Sequence, residues 1–188
     1  MPMGKKKRNL SKVVDMPGKM LILLGSGGHT GEMLRILEQN EIGGLKREYV
    51  ISSGDETSLR KLQRFEESVG GDYKVVNLYR ARNVGDGKLV AFWKSILSFS
   101  DALRKIKWEN DLFLTNGPGT AVPIAYLLFF MKIIGISKCR IIYVESLARV
   151  NDLSITGKLL LPVSDRIIVQ WPNVVKKYNR CEYHGMLV

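Results

Sequence analysis

The sequence holds two histidines, and one of them, His29, stands inside the glycine-rich run Gly25-Ser26-Gly27-Gly28-His29-Thr30-Gly31. That run follows the apolar stretch from Met20 to Leu24 and precedes a segment of helical periodicity. A buried strand, a tight turn and a helix start are therefore expected in succession. Such a turn aims backbone N–H groups and the positive end of a helix at whatever lies above it, and a phosphate or diphosphate is the natural guest. Glycine is needed where a Cβ would hold the anion off the backbone or where φ must be positive. A histidine in the first helical turn feels the same positive field, which disfavours imidazolium and leaves a neutral ring for general-base work. The competing reading is a histidine that only bonds a neighbouring loop.

A glycine loop after the first strand is also the mark of nicotinamide enzymes, but the spacing here does not fit. Gly25 and Gly27 match the first two glycines of that pattern, whereas Thr30 stands where the third belongs and Asp55 arrives too late to close the second strand. A second loop, Asn116-Gly117-Pro118-Gly119, lies between another apolar run and another helix-like segment, so it either joins the first as an anion cradle or simply reverses the chain. A third constellation, Tyr143 to Arg149, puts Glu145 at a strand end with Arg149 just beyond. The carboxylate is suited to sugar hydroxyls or to a base role and the guanidinium to phosphate, unless the two form a solvated ion pair. Asp-x-Asp is absent, as is any zinc-spaced His/Cys cluster, so no metal site and no cofactor are expected. The other histidine, His184, is expected to be structural.

These loops need a frame. From Lys19 onward short runs rich in Val, Ile and Leu alternate with longer helical segments, the pattern of an α/β fold with a Rossmann-like parallel sheet flanked by helices. Strands are expected at Met20–Leu24, Arg47–Ser52, Tyr73–Leu78, Asp111–Thr115, Arg140–Glu145 and Arg166–Gln170. Helices are expected at Thr30–Gln39, Glu56–Ser68, Leu89–Ile106, Thr120–Ile134, Leu153–Leu161 and Asn173–Tyr178. Ligands of such sheets bind at the carboxyl ends of the strands, where all three constellations fall.

The chain of 188 residues, 45% hydrophobic and 25% charged, has room for one folded domain, expected over residues 19–188 behind a basic arm at 1–18. The formal net charge is +11, and Lys5, Lys6, Lys7, Arg8, Lys12 and Lys19 contribute to it against Asp15. A basic arm faces nucleic acid, an anionic lipid surface or water; no RNA-binding motif favours the first, and no nucleic-acid partner is expected. Two cysteines, Cys139 and Cys181, without a framework of pairs or a secretory signal, fit a reducing, cytosol-facing setting. No apolar run reaches the length of about 20 residues that a transmembrane helix needs. The segment Leu89–Lys107 mixes apolar and basic residues in a manner suited to a bilayer surface or to a core-facing helix with a solvated side. Thr120–Ile134 is apolar nearly all round, which means deep burial or contact with lipid as well as protein.

Taken in order, the blocks LLGSGGHTGEMLRIL, SGDETS, YRARNVG, NGPGT, IIYVESLARVNDLSITGKLL, DRIIVQW and YHGMLV span residues 19–188. Together they resemble the membrane-associated subunit of the UDP-N-acetylglucosamine transferase that adds the second GlcNAc to dolichol-diphosphate-GlcNAc. The resemblance implies the N-terminal half of a GT-B glycosyltransferase, similar to that half of the bacterial lipid-II-forming GlcNAc transferase. It implies a separate donor-binding partner without which the chain is inactive, and work at the cytosolic face of the endoplasmic reticulum membrane. By the same resemblance Gly25, Ser26, Gly27, Gly28, Thr30, Gly31, Asn116, Gly117 and Gly119 face the acceptor diphosphate or the gap toward the donor, with Arg149 a further candidate for the phosphate, and His29 and Glu145 are candidate bases. Arg80, Arg82 and Asn83 support acceptor phosphate or membrane approach, and Met186, Leu187 and Val188 dock the partner. Family members commonly carry an N-terminal membrane anchor, whereas residues 1 to 19 here are polar and basic. The chain is then either peripheral, or its anchor lies outside this sequence. Two other readings stay open: a bacterial split transferase acting on an undecaprenyl-linked polysaccharide precursor, and a non-catalytic membrane scaffold.

Overall fold

The computed structural model describes residues 18–40, 42–78, 100–106, 108–117 and 119–187. Seven parallel strands form one sheet: β1 Lys19–Leu23, β2 Lys46–Ser52, β3 Tyr73–Leu78, β4 Leu112–Thr115, β5 Arg140–Val144, β6 Arg166–Val169 and β7 Cys181–Tyr183. Their order across the sheet is β3-β2-β1-β4-β5-β6-β7. The chain thus builds outward from β1 to β3, then returns to the other side of β1 and builds outward again through β4. Where the direction reverses, the carboxyl ends of β1 and β4 flank a crevice, the place at which open α/β sheets bind ligands. Leu23 is level with Thr115 across that junction, so the loops that follow the two strands leave the sheet side by side.

Alternation along each strand divides the core in two. Leu21, Leu23, Phe113, Ile141 and Tyr143 pack on one face with Ile124 and Leu128 of the helix α3, Ala121–Ile133. Ile22, Leu24, Tyr49, Ile51, Leu114 and Ile142 pack on the other, against Met33 and Leu37 of α1, Gly28–Glu38, and Leu62 of α2, Glu56–Val69. A sheet covered on both faces is why its strands read as near-continuous apolar runs. Two short helices, α4 Ile155–Leu160 and α5 Pro172–Lys177, add Leu160 and Val174 to the first face. At the amino ends of the strands, opposite the crevice, the buried Arg47 meets Glu66 through Nε–Oε1 at 3.0 Å and Nη2–Oε2 at 2.7 Å, and the Tyr49 hydroxyl donates to Oε1 at 2.5 Å.

All six expected strands are present; β7 is an addition. Asp55 caps α2, accepting the Ser58 N–H at 3.0 Å, a local role that explains an acidic residue after β2 without any ribose to hold. The helix expected from Thr30 starts two residues earlier, because Gly27 turns the chain at φ 66°. The apolar α3 is not buried all round: Ala121, Ile124, Ala125 and Leu128 face the sheet, while Tyr126, Phe130 and Ile133 are exposed, Ile133 by 66%. Residues 100–105 are helical, with Ala102 and Ile106 in the core. The rest of the expected Leu89–Ile106 helix, residues 1–17 of the expected basic arm, Arg80, Arg82, Asn83 and Val188 lie outside the described residues. Among the described residues no helix is long and apolar enough to cross a membrane.

Candidate active site

The loop after β1 is locked from beneath. Thr30 is buried, its hydroxyl donating to the Gly25 carbonyl, with the Ser58 hydroxyl 2.7 Å away. Thr30 was expected to face an anion; instead it ties the loop to α2, because a β-branched hydroxyl one turn into a helix reaches the preceding loop carbonyl more readily than solvent. Ser26, Gly27 and Gly28 are exposed above it. α1 has no side-chain cap and no acidic residue in its first turn, so the N–H groups of that turn are left for an outside acceptor.

The loop after β4 docks on the first. Asn116, buried, donates from Nδ2 to the His29 carbonyl at 2.6 Å, which fixes the start of α1 against the end of β4. Gly117 takes φ 112°, and a Cβ there would stand 3.0 Å from the Tyr143 hydroxyl, so glycine is required on both counts. The two glycine loops are thus one structure, as their spacing allowed.

His29, Gly117, Glu145, Ser146, Arg149 and Thr156 line a common cleft of about 470 Å³ beside these loops. Members of all three sequence constellations meet there. Their states differ sharply. Glu145 is 1% exposed and saturated: Oε1 accepts the Tyr143 hydroxyl and the Ser146 N–H, each at 3.0 Å, and Oε2 accepts the Ser154 N–H at 2.8 Å. The Gln170 side chain holds its backbone carbonyl at 3.2 Å. To take a proton from a substrate this carboxylate would have to release bonds that order the loop, which places it behind His29 as a candidate base. Burial, then the carboxylate beside it, pushes the Tyr143 phenol well above its ordinary range, keeping it a donor. The solvated ion pair between Glu145 and Arg149 does not form; Arg149 is exposed at the cleft wall.

His29 is the opposite case. Its side chain is 41% exposed, yet Nδ1 is sealed from solvent and has no hydrogen-bond partner. Four of the buried, partnerless side-chain polar atoms among the described residues gather at this junction: His29 Nδ1, Glu32 Oε2, Asn116 Oδ1 and Thr120 Oγ1. Among the described residues no group of three or more His, Cys, Asp or Glu could hold a metal ion.

At the chain end the expected docking residues differ in exposure. Leu187 is 8% exposed and belongs to the α1 face of the core, its N–H donating to Gln170 Oε1 at 3.3 Å and its carbonyl accepting from Gln39 Nε2 at 2.9 Å. Of the expected docking residues, Leu187 is thus buried and clamped at both backbone groups, and Met186 is exposed. The two glutamines that hold it gave no signal in the sequence. His184 is structural as expected, with Nε2 2.9 Å from Glu182 Oε2.

Comparison with known proteins adds a lineage. Residues 20–187 match the family described as oligosaccharide biosynthesis protein Alg14 like. A Candida albicans protein named UDP-N-acetylglucosamine transferase subunit ALG14 is 45% identical over 185 residues, covering 98% of this chain and 83% of the relative. The human protein of the same name is 38% identical over 184 residues, covering 90% and 82%. Among solved structures, MurG of Acinetobacter baumannii matches with a TM-score of 0.52 at 18% identity, covering 83% of this chain and 42% of MurG. The fold is therefore Rossmann-like and shared with part of a two-lobed GT-B transferase.

Proposed function

The chain belongs to the Alg14-like family of oligosaccharide biosynthesis proteins, and from that membership together with the cleft we propose that it is the acceptor-binding subunit of a UDP-GlcNAc transferase. Its substrate is dolichol-diphosphate-GlcNAc, its product carries a second, β1,4-linked GlcNAc, and a separate chain supplies the donor site. The observation that carries this reading is the cleft in which His29, Gly117, Ser146 and Arg149 converge, beside the start of α1, which has no side-chain cap. The N–H groups of the first turn, with Arg149 opposite, take the acceptor diphosphate. His29 accepts the proton of the acceptor 4-hydroxyl as that oxygen attacks C1 of the donor sugar. The C1–O bond to UDP breaks, UDP leaves with the bonding electrons, and the configuration at C1 inverts.

The lipid tail calls for a membrane surface near the cleft. Tyr126 of α3 donates to the Leu159 carbonyl of α4 at 3.1 Å, so the exposed Phe130 and Ile133 of α3 share a side of the molecule with the exposed Ile155 and Leu159. An apolar surface of that kind on a chain of net charge +11 supports attachment to an anionic bilayer, here assigned to the cytosolic face of the endoplasmic reticulum.

Reconstitution tests the proposal. The chain, a candidate donor-binding partner, UDP-GlcNAc and a lipid-diphosphate-GlcNAc acceptor are combined, and each is omitted in turn. Product is expected only from the full mixture. Product without the partner overturns the half-enzyme reading, and full transfer by His29→Ala overturns the base assignment.

A further inference from the structure

We propose that Glu32 is a positioning residue for His29, holding the imidazole through Nδ1–H so that Nε2 stays unprotonated and faces the cleft. This rests on the reading of His29 as the acceptor base and adds the group that prepares it. Glu32 lies one helical turn beyond His29 on α1, with Oε2 3.9 Å from Nδ1. Neither atom has another partner, and neither is reached by solvent. Side chains three residues apart on a helix share a face, so a small torsional adjustment brings the two into hydrogen-bond range. Such contacts in an unliganded site are commonly long and tighten when substrate binds. Since Nδ1 is sealed while two-fifths of the side chain is exposed, Nε2 is the ring nitrogen left for substrate.

Glu32 is itself held. The Ser146 hydroxyl donates to Oε1 at 3.0 Å, and the Ser146 N–H is fixed on Glu145 at 3.0 Å. A line of contacts therefore runs from the saturated carboxylate at the end of β5, through Ser146 and Glu32, to the histidine at the start of α1. It gives Glu145 a part in the site without touching substrate. A carboxylate on one ring nitrogen fixes the tautomer and raises the basicity of the other, which is what a base that accepts a hydroxyl proton requires.

The test uses the whole chain labelled with 15N in its imidazole rings. With only two histidines, and His184 bonded to Glu182 as an internal reference, the His29 signals are assigned by His29→Ala. At pH 8 the wild type is expected as the Nδ1–H tautomer. Glu32→Ala is expected to give mixed tautomers and, in the reconstituted reaction, a kcat lower by about 10- to 100-fold with the KM for UDP-GlcNAc unchanged. Glu32→Gln keeps an acceptor oxygen and is expected to fall between. Ser146→Ala, which frees Glu32 without touching His29, is expected to move both readouts the same way by less. An unchanged tautomer in Glu32→Ala overturns the proposal, as does a shifted tautomer with undiminished kcat. Failure of the base reading shows separately, as full transfer by His29→Ala, because the tautomer is read without any reaction.

Discussion

Adding one methyl group at Gly157 is expected to unsettle the end of β5 and the start of α4 together. The new Cβ would sit 2.5 Å from Glu145 Oε2, 3.2 Å from Tyr143 Cε1 and 3.4 Å from Leu153 Cβ. A carboxylate oxygen on a free side chain would swing aside at little cost. This one is pinned by the Ser154 N–H at 2.8 Å, while its twin holds the Tyr143 hydroxyl and the Ser146 N–H at 3.0 Å each. Local propensity favours the substitution, since Gly157 is helical and its φ is negative, and alanine there gains at most about 1 kcal/mol. Against that stand about 1–3 kcal/mol for overpacking. Where Glu145 yields, a further loss of about 1.5–3 kcal/mol follows from breaking a hydrogen bond to a carboxylate. The balance is a net destabilisation of about 3 kcal/mol. In a domain of this size that lowers Tm by about 6–12 °C.

Thermal and urea unfolding of Gly157→Ala measure the loss. Gly31→Ala is the control: Gly31 is also helical, a Cβ there meets nothing within 4 Å, and a gain of up to about 1 kcal/mol is expected. If Gly157→Ala unfolds at or above the wild-type midpoint, helix propensity has outweighed the clash and Glu145 is not pinned.

Glu66→Ala strands the fully buried Arg47 guanidinium and is expected to cost about 3–5 kcal/mol, whereas Glu56→Ala, which breaks the exposed pair with Arg60, is expected to leave the urea midpoint unchanged. Burial pushes the Cys139 thiol up to about 12 and the Cys181 thiol up to about 11, so iodoacetamide at pH 8 is expected to label neither until the protein unfolds. The Arg166 guanidinium holds the Glu182 carboxyl at about 2, below its ordinary 4.5, so its contribution is complete above pH 4.5 and is lost as pH falls toward 2. Glu182→Gln is expected to flatten the pH dependence of stability in that window alone, and an unchanged profile refutes the assignment.

The sheet was legible because its strands are buried on both faces, leaving runs such as Met20–Leu24 and Arg140–Val144 that no amphipathic helix would show. β7 was not, since Cys181-Glu182-Tyr183 is too short to display a period. The glycine loops were legible as turns, and their union only as one of two alternatives, because it depends on Asn116 reaching the His29 carbonyl across 87 positions of sequence. Thr30 and Glu145 were legible as polar residues in the right places, but the partners that bury them were not. The Ser58 hydroxyl lies 28 residues from Thr30, and the Ser154 N–H comes from a loop nine residues past Glu145. Glu32 carried no signal at all, because a charge at the fifth position of a helix looks like any solvated face.

Two glutamates at one sheet edge, one saturated and one half-free, divide the work that a single carboxylate cannot do. A group that takes a proton and gives it up must have an accessible lone pair and must not be part of what holds the loop together. Glu145 meets neither condition, with three donors on its two oxygens and 1% exposure. It supplies order instead: its oxygens fix Ser146, and Ser146 fixes Glu32. Glu32 keeps one oxygen without a partner, facing the histidine whose sealed nitrogen is equally unmatched. The hydrogen bonds on each carboxylate thus fall from three on Glu145 to one on Glu32, and the proposed base is the most exposed side chain of the series, at 41%.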